Sequence, residues 1–304
     1  MDLLIRDLPA RERPRVALAG VVVAYYLIHS MESDPPPATK RDSPLTIESD
    51  FPSTSESDSH SAPRGAAPER LQPAGDFTAR ERVAATRFAN AARRAGVRRI
   101  VYLGGPLPSA SSVSLSRHLS SRLAVERTLL QAVPDSVALR ASIVIGARSR
   151  SFRFMVRLVE RMPVLTLPAW RRFRTQPIDA RDVTEMLAAA AREPAAKGRT
   201  LEIGGPKALS YGEMMRRIAE LMLVSRPAIG LSVTMTPLTA RVAAAIAGED
   251  PALMLPLMES LEGDLLAAHA QEAAELFGVR LHSFDSAVEH ALAEWEASEP
   301  LAAR

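Results

Sequence analysis

The sequence predicts an α/β fold: an open parallel sheet with helices on its faces, followed by a helical C-terminal region. Three observations carry this. Arg99-Ile100-Val101-Tyr102-Leu103 is rich in β-branched and aromatic side chains and ends on Gly104-Gly105, the pattern of a strand buried on both faces. A helical apolar pattern follows from Leu115 to about Leu130, and "VALRASIVIG" (Val137 to Gly146) is a second buried run. Strand, crossover helix and strand form a right-handed unit with parallel strands. Ligands of open α/β sheets bind beyond the carboxyl ends of such strands. Chemistry is therefore expected near Gly104, Gly105 and the residues just after Arg140.

Composition narrows the function classes. The chain has 304 residues, 47% of them hydrophobic, and a net charge of +3, enough to bury a core in one large or two modest domains. Its arginines are scattered, without the basic block or aromatic interleaving of a nucleic-acid surface. Cysteine is absent, which excludes disulfides, thiolate zinc sites and cysteine nucleophiles. No apolar run reaches the ~20 residues of a membrane-spanning helix. The run "VALAGVVVAYYLI" (Val16 to Ile28) has the length of a signal-peptide core, but no small-x-small cleavage pattern follows it. Its valines and tyrosines suit a buried strand better. A cytoplasmic protein without an integral membrane span is expected.

In chain order, "MDLLIRD" reads as a short strand and the stretch within Val21 to Ile28 as a buried one, so 1–31 holds the first strands of the core. Residues 32–76 turn to Pro, Ser, Asp and Glu, a composition that cannot offset its ordering entropy and predicts a disordered insert. The core and its substrate region then span 77–230. They open with a helix whose face carries Ala84, Phe88, Ala91, Ala92 and Ala95, stopped by Gly96. After the central unit, Phe152 to Leu167 is predicted helical. "QPIDARDV" (Gln176 to Val183) is predicted to be extended, with Asp179 or Asp182 capping the helix that runs to Ala191. "TLEIGG" (Thr200 to Gly205) is another strand. Ser210 and Glu213 form a capping box ahead of Met214, Ile218, Leu221 and Met222. The rest, including 231–304, is predicted helical; its last helix starts at Ser283 and buries Phe284, Val288, Ala291, Leu292 and Trp295.

Common catalytic constellations are missing. The six histidines (His29, His60, His118, His269, His282, His290) show no metal-ligand spacing, and there is neither a G-x-S-x-G elbow nor a P-loop. No metal is expected.

Several segments, in order, resemble the atypical short-chain dehydrogenase/reductases, in particular an NmrA-like branch related to the NADPH-holding accessory subunit of respiratory complex I. They are "GVVVAYYLIHSM", "AGVRRIVYLGG", "LSRHLSSRLAVE", "LRASIVIG", "QPIDARDV" and "IGGPKALSYGEMMRRIA". The resemblance covers roughly residues 77–295 and the two short N-terminal strands. It implies a Rossmann-like sheet that is incomplete at its N-terminal side, because "LLIRD" resembles the family's second strand and no glycine-rich strand-loop-helix precedes it. The family's third strand also has no counterpart.

The resemblance further implies a nicotinamide cofactor, NADP or NAD, held by Arg6, His29, Ser30, Gly104, Gly105, Arg122, Ser142 and Val144. The family's proton relay is a Tyr with a Lys four residues later. None of Tyr25, Tyr26, Tyr102 and Tyr211 has Lys or Arg at that spacing; His118 and Arg122 occupy the matching places. In the catalytic reading His118 relays a proton and Arg122 meets a ribose or phosphate. In the plain reading both sit on the solvated side of a surface helix, His29 and Ser30 merely end a strand, and Ser142 and Val144 are core residues. Two functions follow. One is a weakened NAD(P)-dependent oxidoreductase that reduces a small carbonyl or quinone-like compound. The other is a non-catalytic regulatory or structural binding protein, or a truncated degenerate copy. Without a phosphate loop, dinucleotide binding is expected to be weak. The expected partners are a small-molecule nucleotide and a substrate that the sequence does not specify, like the oligomeric state.

Overall fold

The computed structural model describes residues 20–27, 77–108, 116–231 and 263–299, with isolated positions at 241, 243, 245, 246 and 261. In chain order the elements are β1 (Val23–Tyr26), α1 (Phe77–Arg94), β2 (Arg99–Gly104), α2 (Arg117–Ala132), β3 (Val137–Ala141), β4 (Val144–Ile145), α3 (Arg150–Arg161), β5 (Leu165–Leu167), β6 (Arg174–Thr175), β7 (Ile178–Asp179), α4 (Ala180–Ala190), β8 (Thr200–Ile203), β9 (Leu209–Ser210), α5 (Tyr211–Leu221), β10 (Ala228–Gly230), α6 (Ala270–Phe277) and α7 (Phe284–Ser298). Among the described residues, no helix is long and apolar enough to cross a membrane.

The central sheet has four parallel strands in the order β1-β2-β3-β8. Alternation along β2 sends its side chains to two layers. Ile100 and Tyr102 pack with Tyr26, Ala138 and Leu129 beneath α1 and α2. Val101 joins Leu139, Ile203 and Met186 on the opposite face, which α4 and α6 cover. Arg99, at the amino end of β2, is 6% exposed and donates to the carbonyls of Ala190 (2.7 Å) and Glu193 (3.0 Å). A cation there answers the negative end of the α4 dipole and occupies carbonyls the helix leaves open. A third cluster, with Phe152, Val159, Met214, Ile218 and Trp295, joins α3, α5 and α7 beside the sheet.

The helix boundaries follow their caps. Ser116 accepts from the Leu119 N–H at the start of α2, and Asp179 from the Arg181 N–H at the start of α4. Ser210 and Glu213 form the complete capping box, and Ser283 caps α7. Gly96 takes φ +72° just beyond α1, a left-handed conformation that glycine adopts without a Cβ penalty.

Four expectations are corrected. "VALRASIVIG" is two strands: β3 leaves the main sheet at Ser142-Ile143, and β4 pairs with β7. The hydroxyl of Ser142 donates to the Gln176 carbonyl, and the Ile178 N–H donates to Ile143, which draws the chain aside. The helix expected to reach Leu167 stops at Arg161, because Pro163 holds the preceding residue extended. Leu165–Leu167 is a strand paired with Ala228–Gly230, so the part beyond α5 is not wholly helical. The buried stripe of α1 is also rotated. Ala85 and Ala89 are buried along with the expected Ala91 and Ala92, all at 2% exposure or less, and Glu81 shares their burial at 1%. Ala84, Phe88 and Ala95 are only half-buried.

Candidate functional site at the carboxyl edge of the sheet

Glycines stand at or just past the carboxyl ends of two sheet strands, Gly104 and Gly105 at β2 and Gly204 and Gly205 at β8. A Cβ at Gly104 would stand 2.8 Å from Cε1 of Tyr102, so glycine there lets the ring fold across the strand. At Gly105 a Cβ would meet only Leu119, at an ordinary 3.5 Å. Gly105 thus leaves the strand end open to close approach. Next to it, Gln176 ties the neighbouring ends together: its carbonyl accepts from Ser142, and its Nε2 donates to the Gly205 carbonyl at 2.7 Å. Gly204 and Gly205 permit this contact. A Cβ on Gly205 would fall well inside 3.0 Å of the Pro177 carbonyl oxygen.

A polar cluster lies on the α1/α2 face below this edge. Glu81, Ser121 and Arg122 are 1%, 6% and 6% exposed. The Ser121 hydroxyl donates to Oε2 of Glu81, and the Arg122 Nε stands 3.7 Å from its Oε1. The Tyr102 hydroxyl donates to the Arg122 carbonyl at 3.3 Å. The Tyr26 hydroxyl is buried and has no hydrogen-bond partner among the described residues. Burial, then the charge of Glu81, pushes the Tyr26 phenol far above its usual pKa. Burial also pushes Tyr102 up to about 12, with the Arg122 charge opposing it. Tyr211, in the third cluster, is likewise raised by burial. Each of these three phenols keeps its proton at neutral pH.

One turn further along α2, Glu126 accepts both Nε (2.9 Å) and Nη2 (2.8 Å) of Arg140 and the hydroxyl of Thr200 (3.1 Å). The charges Glu81, Arg122, Glu126 and Arg140 therefore alternate in sign across this side of the sheet. Arg140, Thr200 and Glu202 also line a cleft of about 900 Å³ reaching Leu107, Pro108 and His269.

Among the expected site residues, the structure places Gly104, Gly105, Ser142 and Val144 at the ends of β2, β3 and β4. Val144 is half-buried and packs against the cluster under α4. Arg122 is not on a solvated helix face, as the plain reading holds; it is buried against Glu81. His118 is the second residue of α2, and its side chain lies outside the description. Arg6, His29 and Ser30, like the expected insert at 32–76, lie outside the described residues. Sequence reasoning passed over Glu81, Glu126, Arg140 and Gln176. A signal existed for two of them: Glu81 falls on the Ala85-Ala89-Ala92 stripe, and Glu126 follows Arg122 at i+4.

No family model matches the chain. Among curated proteins, the Arabidopsis thaliana mitochondrial NADH dehydrogenase [ubiquinone] 1 alpha subcomplex subunit 9 is 30% identical over 114 residues. That stretch is 37% of this chain and 27% of the subunit's own length. Among solved structures, a Citrobacter triphenylmethane reductase aligns with a TM-score of 0.59 at 15% identity, covering 93% of this chain and 80% of its own. The shared architecture is a Rossmann-like parallel sheet with flanking helices. A Bacillus cereus UDP-glucuronic acid 4-epimerase, solved with UDP-glucuronic acid and NAD, also shares this fold, with a TM-score of 0.54 at 14% identity over 74% of this chain and 70% of its own. These identities speak for the architecture; function rests on the site itself.

Proposed function

We propose that this chain binds a nicotinamide dinucleotide, NADP or NAD, at the carboxyl edge of its sheet, weakly and with little turnover. The observation that carries the reading is the buried cluster at that edge: one arginine set among Glu81, Ser121 and two protonated tyrosines. The residues present fit such a ligand. Gly105 leaves the strand end open to a flat ring, and Tyr26 offers a buried hydroxyl that has no hydrogen-bond partner among the described residues. Arg122 supplies the cation for a ribose-phosphate segment. When bound, the cofactor supplies a hydride.

In this reading the Gly104–Gly105 backbone and Val144 line the nicotinamide end, with the Ser142 hydroxyl beside it. Arg6, His29 and Ser30 belong to the same proposed nucleotide-binding set. The proton for a reduced carbonyl or quinone oxygen comes from His118 or water, because Tyr26 and Tyr102 hold theirs too tightly to give them up near neutral pH. Binding without turnover, the regulatory or structural alternative, is favoured by that same tyrosine pattern. Two measurements on the full chain separate the readings: calorimetric titration with NADPH and NADH, and NADPH oxidation against a panel of small carbonyls and quinones. Saturable binding is expected, with oxidation slow or absent. Fast oxidation would remove the weakened-catalysis reading, and absence of binding would remove both.

A further inference from the structure

Glu81 and Arg122 belong to different helices but to one end of the sheet. α1 leads into β2 and α2 leaves it, and in parallel crossovers each helix begins at the carboxyl edge of the strands. Glu81 is the fifth residue of α1 and Arg122 the sixth of α2. At ~1.5 Å per residue both lie within about 10 Å of that edge. Their side chains are 2% and 7% exposed, so their charges interact with little screening.

The two contacts of the carboxylate differ in kind. Oε2 takes a hydrogen bond from Ser121, which fixes Glu81 to α2 whatever Arg122 does. Oε1 faces the Arg122 Nε at 3.7 Å, a charge contact too long for a hydrogen bond. The Tyr26 hydroxyl, unpartnered among the described residues, is near enough to feel the Glu81 charge. We infer that Glu81 is a positioning residue that keeps the Arg122 guanidinium turned inward, so that a phosphate-bearing dinucleotide binds only by drawing it away. The inference rests on the reading of Arg122 as a nucleotide contact. Glu81 thereby lowers affinity while compensating the buried guanidinium charge in the empty site.

The test is calorimetric titration of the full chain with NADPH, comparing wild type, Glu81→Gln, Arg122→Ala and the double variant. The Glu81→Gln change keeps the side-chain volume and an oxygen for the Ser121 hydroxyl while losing the charge. Glu81→Gln is expected to bind NADPH roughly tenfold more tightly, equivalent to about 1.4 kcal/mol. Arg122→Ala is expected to bind more weakly, and the double variant like Arg122→Ala alone. A purely structural Glu81 would loosen binding and lower the melting temperature together. If Glu81→Gln does not fold, Glu81→Asp, which retracts the carboxylate by one methylene, is expected to tighten binding by a smaller factor. Unchanged or weaker affinity in the folded Glu81 variant, with Arg122→Ala still impaired, overturns this inference and leaves the binding reading intact. Arg122→Ala binding as wild type, or wild type not binding at all, overturns both.

Discussion

Gly205→Ala is expected to be among the most damaging single-methyl additions in the described chain. The new Cβ would collide with the backbone carbonyl of Pro177, with the carbonyl carbon behind it at 3.2 Å and the Ile178 Cα at 3.7 Å. Backbone cannot rotate away as a side chain can, so β7 must separate from the end of β8. Overpacking of this sort costs about 1–3 kcal/mol. The Gln176–Gly205 hydrogen bond at 2.7 Å is lost with it, adding about 1 kcal/mol. A total of roughly 2–4 kcal/mol lowers the melting temperature by about 5–15 °C, at a few degrees per kcal/mol for chains of this size. The shift also moves Gln176 and so frees Ser142, and dinucleotide binding should weaken even at temperatures where the variant is still folded. Gly104→Ala is the control, because its Cβ meets the Tyr102 ring, which can move. Thermal melts of the three proteins decide the matter. A Gly205→Ala variant melting within about 2 °C of wild type, or less affected than Gly104→Ala, would refute the close-approach argument.

Two pH effects follow from the titrating groups. Burial works against the Asp179 charge, but its hydrogen bonds from Arg181 outweigh this and hold its pKa below the usual value. The folded state then binds fewer protons than the unfolded one, and stability is lost as pH falls below about 3.9; melts between about pH 3 and 5 should show a smaller loss in Asp179→Asn. Tyr102 behaves in the opposite sense: burial raises its pKa to about 12, so the folded state keeps a proton that the unfolded chain releases above about 10. Stability should decline from about pH 10 toward 12, less steeply in Tyr102→Phe, which also loses about 1 kcal/mol with the hydrogen bond to the Arg122 carbonyl.

The elements with the strongest local signals were legible in the sequence. The β2 run, the capping box at Ser210 and Glu213, and the apolar stripe of the last helix carry their instructions within a few residues, and each stands where expected. The break at Ser142-Ile143 was not legible, because its cause is a carbonyl 34 residues away. Glu81 escaped for a similar reason. A carboxylate on a helix reads as solvated, and only Ser121, 40 residues on, shows that this one is buried. The strand pattern pointed to the carboxyl edge and the family resemblance to Arg122; the side chains packed around Arg122 became visible only in the tertiary structure.

On the proposed function, the carboxyl edge of this sheet holds a nicotinamide dinucleotide without the contacts of a glycine-rich phosphate loop. The sequence carries no G-x-G-x-x-G motif, and losing two charge-assisted hydrogen bonds to a pyrophosphate costs roughly 3–6 kcal/mol. That weakens an ordinary micromolar site by on the order of 10²–10⁴-fold. Titration of the full chain with NADPH, followed by nucleotide fluorescence, measures the consequence directly. The expected result is saturable binding with a dissociation constant of about 0.1 mM or weaker, further weakened by Arg122→Ala. A constant of about 1 μM or tighter, or no saturable binding at any accessible concentration, would contradict it.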